Sequence, residues 1–199
     1  MNVGIIGSGG REHALCHSLK KSSKVDEIFC FPGNAGTSNI AKNIDIDLEN
    51  FNKIRDFIKD QGIDLIIVGP EKPLVEGIVD FLEKSKIKIF GPNKIASQLE
   101  GSKIFTKQIC KKFNIPTAKF GIFQNEYEAK EFLKKSNFPI VIKANNLASG
   151  KGVYICKNLE ESNVAVGEIF NGKFGKAKNL LIEEFLDGEE MSFFTIHDG

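Results

Sequence analysis

Hydrophobic and polar positions along the first half of the chain follow two alternating patterns. Short runs rich in Val, Ile and Phe predict strands, and longer segments between them, such as the one carrying Phe51, Ile54 and Ile58, repeat at helical spacing. The predicted strands are 2–7, 26–31, 63–68 and 86–90, and the predicted helices are about 10–22, 49–60 and 72–85. Strands that alternate with helices are typical of an open parallel sheet with helices on its faces.

The pattern changes after Gly91, and the second half of the chain suits a different sheet. Two short helical stretches, 93–99 and 102–113, lead to Pro116, which ends the helix and favours an extended chain. Beyond it we predict strands at 118–123, 139–144, 152–156, 179–185 and 190–196 and helices at 125–136 and 159–170. The sequence therefore predicts an α/β protein: a Rossmann-like open parallel-sheet domain over 1–101, then linker helices and an α+β region with an antiparallel sheet over 102–199.

Composition narrows the class of partner. The 199 residues are 41% hydrophobic and 27% charged, which is ordinary for a globular protein. With 27 basic and 26 acidic residues the formal charge is +1, so no broad positive field would attract nucleic acid. The longest aliphatic run, Leu65–Val68, is too short for a bilayer, MNVGIIG shows no charged leader, and the four cysteines form no Cys-x-x-Cys pair. We expect a cytoplasmic protein with small-molecule partners, no membrane contact and no nucleic acid.

The first glycine loop, GSGGREHA, lies where a strand turns into a helix. Without Cβ atoms, Gly9 and Gly10 allow backbone N–H groups and the helix N-terminus to approach a phosphate, and Arg11 adds positive charge. A dinucleotide fingerprint would need a third glycine at the position of Glu12 and an acid after the second strand, which here ends FCFPGNAGT. We therefore expect a phosphate-bearing ligand smaller than a dinucleotide, although glycines that merely tighten the turn remain the alternative.

Two further loops, PGNAGT at 32–37 and GPEKPL at 69–74, follow strands of the same predicted sheet. In open α/β sheets, loops at the carboxyl ends of the strands gather at one edge and bind ligands there. They also fit simple turns. The candidate substrate-binding residues are Gly9, Gly10, Arg11, Asn34, Gly36, Thr37, Pro70 and Glu71.

A second glycine loop lies in PIVIKANNLASGKGVYIC, between two predicted strands. Such a loop can fold over a triphosphate while Lys143, at the strand end, meets the phosphate charge. It is not a Walker motif, because Gly152 follows Lys151 where Ser or Thr is required, and a plain hairpin loop is the alternative. Downstream, NLLIEEFLDGEEMSF leads from an apolar strand into acids, which could hold an adenine edge and a ribose or form an exposed acidic face.

Together these segments resemble a known family. GSGGREHAL, FPGNAGT, IVGPEKPLVEGIVD, IFGP, QLEGSKIFTK, IPTAKF, IVIKANNLASGKGV and IEEFLDGEEMSF occur in the order seen in the phosphoribosylamine–glycine ligases of the ATP-grasp superfamily. The resemblance covers essentially the whole sequence. It implies a pre-ATP-grasp domain that binds the phosphoribosyl substrate, followed by the first part of an ATP-grasp domain.

The resemblance also implies site residues for ATP. Lys103 and Lys143 are similar to lysines that contact the nucleotide phosphates, and Ser149, Gly150, Lys151 and Gly152 to the phosphate-covering loop. Glu183, Glu184 and Leu186 are similar to the adenine hinge, and Glu190 to the ribose carboxylate. The sequence departs from the family at Asn145 and Asn146, where Asp-Gly is usual.

By the same resemblance, the activity is an ATP-dependent joining of glycine to 5-phosphoribosylamine in purine biosynthesis. The family continues for roughly as many residues again, so we expect this chain to be a fragment that is inactive alone. The ligands of Mg²⁺ or Mn²⁺ are expected in that further part, and no catalytic or metal residue is assigned here. The alternatives are another ATP-grasp enzyme, such as a biotin carboxylase or a different purine-pathway ligase, and a non-catalytic nucleotide-binding module.

Overall fold

The structure is a computed structural model that describes residues 1–145, 152–175 and 178–196. The chain divides into two compact units, Met1–Gly101 and Ser102–Gly199. Each unit has a hydrophobic core built on its own β-sheet.

The first unit contains a five-stranded parallel sheet. Its central strand β1 (Val3–Gly7) lies between β2 (Ile28–Pro32) and β4 (Leu65–Val68), and the short strands β3 (Lys42–Asn43) and β5 (Ile89–Phe90) form the edges. All five residues of β1 are buried, as expected for a strand covered on both faces. Because the strands are parallel, the loops that follow β1, β2 and β4 emerge at one edge of the sheet.

Helices cover both faces of this sheet. The helices of this unit are α1 (Gly10–Leu19), α2 (Phe51–Asp60), α3 (Glu71–Glu76), α4 (Ile78–Glu83) and α5 (Gln98–Gly101), of which α1, α2 and α4 carry buried core residues. Ile6 packs with Ile54 of α2 and Leu82 of α4, whereas its neighbour Ile5 packs with Cys16 of α1. Successive β1 side chains therefore serve two different cores, as strand geometry requires.

The second unit begins with α6 (Lys103–Lys112) and continues into a four-stranded antiparallel sheet. The strands are β6 (Phe120–Phe123), β7 (Ile140–Ala144), β8 (Val153–Cys156) and β9 (Leu180–Glu184), in the spatial order β6-β9-β7-β8. The remaining helices are α7 (Glu126–Leu133) and α8 (Leu159–Phe170). Among the residues that the structure describes, no helix has the length and apolar character needed to cross a membrane.

Asparagine side chains cap three helices. Asn50, Asn125 and Asn158 each accept a hydrogen bond from the backbone N–H three residues later, at the start of α2, α7 and α8. Such caps satisfy N–H groups that have no partner inside the helix. They explain why these helices begin within about two residues of the predicted positions.

The two faces of the second sheet differ. Ile140, Ile142 and Ala144 of β7 belong to the core that α7 and α8 complete, so the intervening Val141 and Lys143 lie on the opposite face. The strand pairing places further residues on that opposite face: Phe120, Ile122, Val153, Ile155, Leu181 and Glu183. We call these eight residues the lysine face.

Buried thiols occur in both units. Cys16 and Cys30 lie side by side in the first unit, with their Sγ atoms 3.1 Å apart, and Cys156 is buried in the second. Burial is the main cause that raises the pKa of all three thiols above its usual value. At neutral pH these thiols are therefore protonated and shielded from reagents.

The structure confirms the fold class expected from the sequence and corrects three elements. The predicted helix 72–85 is two helices, because Gly77 adopts a left-handed conformation with φ of 98° between α3 and α4. The predicted helix 93–99 is mostly turns, with α5 only at its end. Residues 190–196, predicted as a strand, form no regular element, because none of the strands described here pairs with them.

Candidate functional site

Three loops meet at the edge of the first sheet where β1, β2 and β4 end. After β2, the Asn34 side chain donates to the backbone oxygen of Ser8 in the loop after β1, at 2.8 Å. Arg11 reaches the loop after β4, where Nη1 donates to the oxygen of Gly69 at 3.4 Å and Nη2 to Glu71 Oε1 at 3.0 Å. The structure thus brings together the three loops that the sequence predicted to share this edge.

Asn34, Gly36 and Thr37 hold the middle loop in shape. Asn34 Oδ1 accepts hydrogen bonds from the backbone N–H groups of Gly36 at 2.7 Å and Thr37 at 3.0 Å. The buried Thr37 hydroxyl accepts from the backbone N–H of Asn34 at 2.7 Å. Many of the hydrogen-bonding groups of these three residues therefore bond to other groups of the same loop.

Arg11 and Glu71 form an ion pair at this edge. The pKa of the Glu71 carboxyl lies below its usual range, first because its own backbone N–H donates to it and then because Arg11 does. Glu71 in turn raises the pKa of Arg11. Pro70 precedes Glu71 as the N-cap residue of α3. The Arg11 side chain is 71% exposed, so guanidinium N–H donors remain accessible to an anion.

Glu12 is a residue of this edge that the sequence analysis did not select. It is buried, and its Oε2 accepts a hydrogen bond from the backbone N–H of Gly9 at 2.6 Å. A Cβ on Gly7 or Gly69 would collide with its carboxylate, which explains why both neighbours are glycines. The signal was present, since Glu three residues after a helix N-cap is the pattern of a capping box. The Gly9 amide is thus engaged, whereas Gly10 lies in open space.

On the lysine face of the second unit, Lys143 and Glu183 form an ion pair. In the antiparallel pairing of β7 with β9, Glu183 lies opposite Val141 and Lys143 lies opposite Leu181. Lys143 and Glu183 are therefore diagonal neighbours on one face, which is within reach of long side chains. Glu183 is only 3% exposed, so its carboxylate is almost fully withdrawn from water.

A second lysine contacts the same carboxylate. Lys107 of α6 forms an ion pair with Glu183 Oε1, while Lys143 pairs with Oε2. Oε1 makes no hydrogen bond of good geometry within the described part of the chain, so Lys107 acts on it as a charge. Sequence analysis did not select Lys107, because helical spacing alone gives no sign of which strand a helix residue faces.

Apolar side chains continue the lysine face away from these charges. Val153 and Ile155 of β8 are exposed; Val153 lies opposite Lys143, and Val141 lies between Ile155 and Glu183 in the sheet. An apolar surface beside an ammonium group offers contact to a flat ring and to its attached phosphates.

The other residues assigned to ATP belong to the second unit, and some of them lie outside the described residues. Lys103 is the first residue of α6, and the Gly152 carbonyl accepts from the Ala144 amide at 2.8 Å, extending the β7–β8 pair. Glu184 Oε1 accepts from the backbone N–H of Lys119 at 2.9 Å. Leu186 and Glu190 are exposed and belong to no helix or strand. Ser149, Gly150 and Lys151, with Asn146, lie outside the described residues.

Asn145, one of the two departures from the family, caps α6 from another part of the unit. Its Oδ1 accepts a hydrogen bond from the backbone N–H of Ile104 at 3.0 Å, while Ser102 Oγ accepts from that of Phe105 at 3.2 Å. Two N-terminal N–H groups of α6 are thereby satisfied. The end of β7 is in this way tied to the helix that carries Lys107.

No group of three or more His, Cys, Asp or Glu side chains suited to a metal ion occurs among residues 1–145, 152–175 and 178–196.

A parallel-sheet unit followed by a unit with an antiparallel sheet is the order that the sequence led us to expect of an ATP-grasp protein, and the family models agree. Residues 101–199 match the family model described as phosphoribosylglycinamide synthetase, ATP-grasp (A) domain. Residues 1–100 match the one described as phosphoribosylglycinamide synthetase, N domain. The chain belongs to the phosphoribosylglycinamide synthetase family, which confirms the resemblance found in its sequence.

Individual relatives support this family membership. The phosphoribosylamine–glycine ligase of Brucella melitensis is 47% identical over 200 residues, which cover 100% of this chain and 47% of the relative. The crystal structure of phosphoribosylamine–glycine ligase from Thermotoga maritima has a TM-score of 0.78 at 34% identity, covering 95% of this chain and 45% of that one. The biotin carboxylase domain of Hydrogenobacter thermophilus 2-oxoglutarate carboxylase has a TM-score of 0.67 at 25% identity, covering 94% and 45%. The chain spans about half the length of the curated relatives it matches.

Proposed function

We propose that this chain supplies the phosphoribosyl-binding domain and the first part of the nucleotide site of an ATP-dependent phosphoribosylamine–glycine ligase. In that reaction the γ-phosphoryl group of ATP passes to the carboxylate of glycine, giving glycyl phosphate and ADP. The amine of 5-phosphoribosylamine then attacks the acyl carbon, phosphate leaves, and glycinamide ribonucleotide is formed. The observation that carries the proposal is the lysine face, within a chain whose two units match the two domain models of this family.

For the nucleotide, we assign the phosphates to Lys143 and Lys103 and the base to the apolar part of the lysine face. A positive group in a partly buried site stabilises phosphate charge more strongly than it would in water. The backbone around Glu183, Glu184 and Leu186 meets the adenine edge, and Glu190 the ribose. The segment Ser149–Gly152 covers the phosphates and keeps water from the acyl phosphate.

For the phosphoribosyl substrate, we assign the phosphate to the edge formed by the three loops of the first unit. Arg11 is an exposed cation there, and Gly10 leaves its backbone open to a ligand. Gly9, Asn34, Gly36, Thr37, Pro70 and Glu71 shape this edge. Glu12 occupies the N-terminal end of α1, where a dinucleotide would place its pyrophosphate. The presence of this carboxylate there favours a ligand smaller than a dinucleotide.

A divalent ion, Mg²⁺ or Mn²⁺, belongs to this proposal because it offsets the charge of the transferring phosphoryl group. The described residues hold no cluster of ligands for it, so no ligand and no step is assigned to the ion here.

The proposed activity can be tested in a chimaera in which residues 1–199 replace the matching half of the Brucella melitensis relative. We expect the chimaera to form glycinamide ribonucleotide from ATP, glycine and 5-phosphoribosylamine, as the unmodified relative does in the control. A chimaera that is folded by circular dichroism, binds ATP and makes no product would exclude this substrate assignment.

A further inference from the structure

The Glu183 carboxylate is shared by two lysines that are held very differently. Lys107 also donates to the Thr117 hydroxyl at 2.5 Å and lies 5.6 Å from the centre of the Phe120 ring. Its side chain is 13% exposed, against 29% for Lys143. Lys107 is thus fixed in place by several groups, whereas Lys143 stands at the more open side of the carboxylate.

This asymmetry matters because a buried carboxylate is stable only with a counter-charge. Removing one partner of a buried ion pair is costly because it leaves an uncompensated charge out of water. A lysine that is the sole partner of Glu183 would therefore be held there. A lysine that shares Glu183 with a second, fixed cation is free to turn toward an incoming anion.

We propose that Lys107 is a positioning residue of the nucleotide site. It stays on Glu183 Oε1 and keeps the carboxylate compensated, so that Lys143 can leave Oε2 and pair with a phosphate. The three groups carry a net charge of about +1 at neutral pH, and that surplus becomes available to the anion. This inference rests on the proposed nucleotide site, but the exchange of partners is a property of the three side chains and can be measured without a nucleotide.

The test is the reactivity of the Lys143 amine in the free protein. Acetic anhydride acetylates the unprotonated amine of a lysine, so a lysine held in an ion pair reacts more slowly, and peptide mass spectrometry gives the rate at Lys143 alone. We expect Lys107→Met to slow acetylation of Lys143 by about fivefold, because among the residues that the structure describes Lys143 is then left to compensate Glu183. Lys107→Arg, which keeps the charge, should leave the rate near that of the unmodified chain.

A second pair of variants separates this role from simple structural support. In Glu183→Gln the carboxylate that needs a counter-charge is absent, so adding Lys107→Met should then have no effect on Lys143. If Lys107→Met slows Lys143 equally in both backgrounds, or in neither, the positioning role is wrong. Lys130→Met removes an ion pair with Glu126 on α7 and serves as the matched control, with no expected effect at Lys143. If Lys107→Met does not fold, Lys107→Gln gives the same comparison while keeping a donor for Thr117.

Titration with ATP then connects the exchange to binding. We expect Lys107→Met to weaken ATP binding and its combination with Glu183→Gln to bind as Glu183→Gln alone does. A chain that shows the acetylation pattern without binding ATP would refute the proposed nucleotide site and leave only the exchange of partners at Glu183. A chain that binds ATP but lacks the acetylation pattern would refute the role of Lys107 and retain the proposed nucleotide site.

Discussion

Gly69 shows how closely the first unit is fitted around one buried acid. A Cβ at this position would overlap the Glu12 carboxylate, whereas a Cβ on Gly10 would meet nothing within 4 Å. We predict that Gly69→Ala lowers the free energy of unfolding by about 1–3 kcal/mol, the usual cost of forcing atoms into a packed site. Gly10→Ala is the control and should not destabilise, since alanine suits the first turn of a helix. Urea unfolding measures both, and equal stability of the two variants would contradict this view of Glu12.

Lys143 is the residue on which the nucleotide assignment depends most directly. We predict that Lys143→Ala weakens ATP binding about ten- to a hundredfold, because one charge-assisted hydrogen bond to phosphate contributes about 1.5–3 kcal/mol. The fold should survive, since Lys107 still compensates Glu183. Isothermal titration calorimetry measures the affinity, with Lys130→Ala as a control at a partly exposed, ion-paired lysine of the same unit. Unchanged affinity in Lys143→Ala would remove Lys143 from the site.

For single residues, the sequence predicted which element a residue belongs to better than it predicted which distant residue it contacts. The strand position of Lys143 followed from its apolar neighbours, but its pairing with Glu183 depends on the register of β7 against β9, which no local pattern shows. Lys107 was missed for the same reason, since its partner is 76 positions away in the chain. The capping role of Glu12 could have been predicted from its position in the sequence, whereas its burial against Gly69 could not.

Among the elements, α6 depends on a cap from a distant strand end. We predict that Asn145→Ala destabilises the second unit by about 0.5–2 kcal/mol, because the Ile104 N–H loses its acceptor at the helix start. Asn145→Asp should keep the cap and add about 0.3–1 kcal/mol, since a carboxylate is favoured at a helix N-terminus. Urea unfolding of the two variants should therefore move in opposite directions. A loss of stability in Asn145→Asp as large as in Asn145→Ala would show that the hydrogen bond is not what stabilises α6.

Elements with local causes were predicted well. The helices α2, α7 and α8 begin at asparagine caps, and their apolar spacing is readable without knowledge of the fold. The break at Gly77 was missed because a glycine in a helical pattern does not reveal that it will adopt a positive φ. The strand expected at 190–196 was wrong because a strand needs a partner as well as a pattern.

For the molecule as a whole, we predict that residues 1–199 alone bind ATP weakly and form no glycinamide ribonucleotide above background. The chain spans about half the length of its relatives, and its described residues hold no group of three or more His, Cys, Asp or Glu side chains suited to the metal on which phosphoryl transfer depends. The assay supplies ATP, Mg²⁺, glycine and freshly made 5-phosphoribosylamine and follows ADP and product. Steady product formation that Lys143→Ala abolishes would show that the chain is sufficient by itself.

Each unit contains buried thiols whose rate of alkylation reports how often that unit opens. Cys16 and Cys30 are enclosed in the first unit and Cys156 in the second, so an alkylating reagent reaches each only when that unit opens. The half-buried Cys110 of α6 provides a comparison within the same molecule. Mass spectrometry of the alkylated peptides would therefore give separate opening free energies for the two units of one native chain, with no introduced label. If ATP or 5-phosphoribosylamine slows the alkylation of the thiols in one unit, that ligand stabilises that unit.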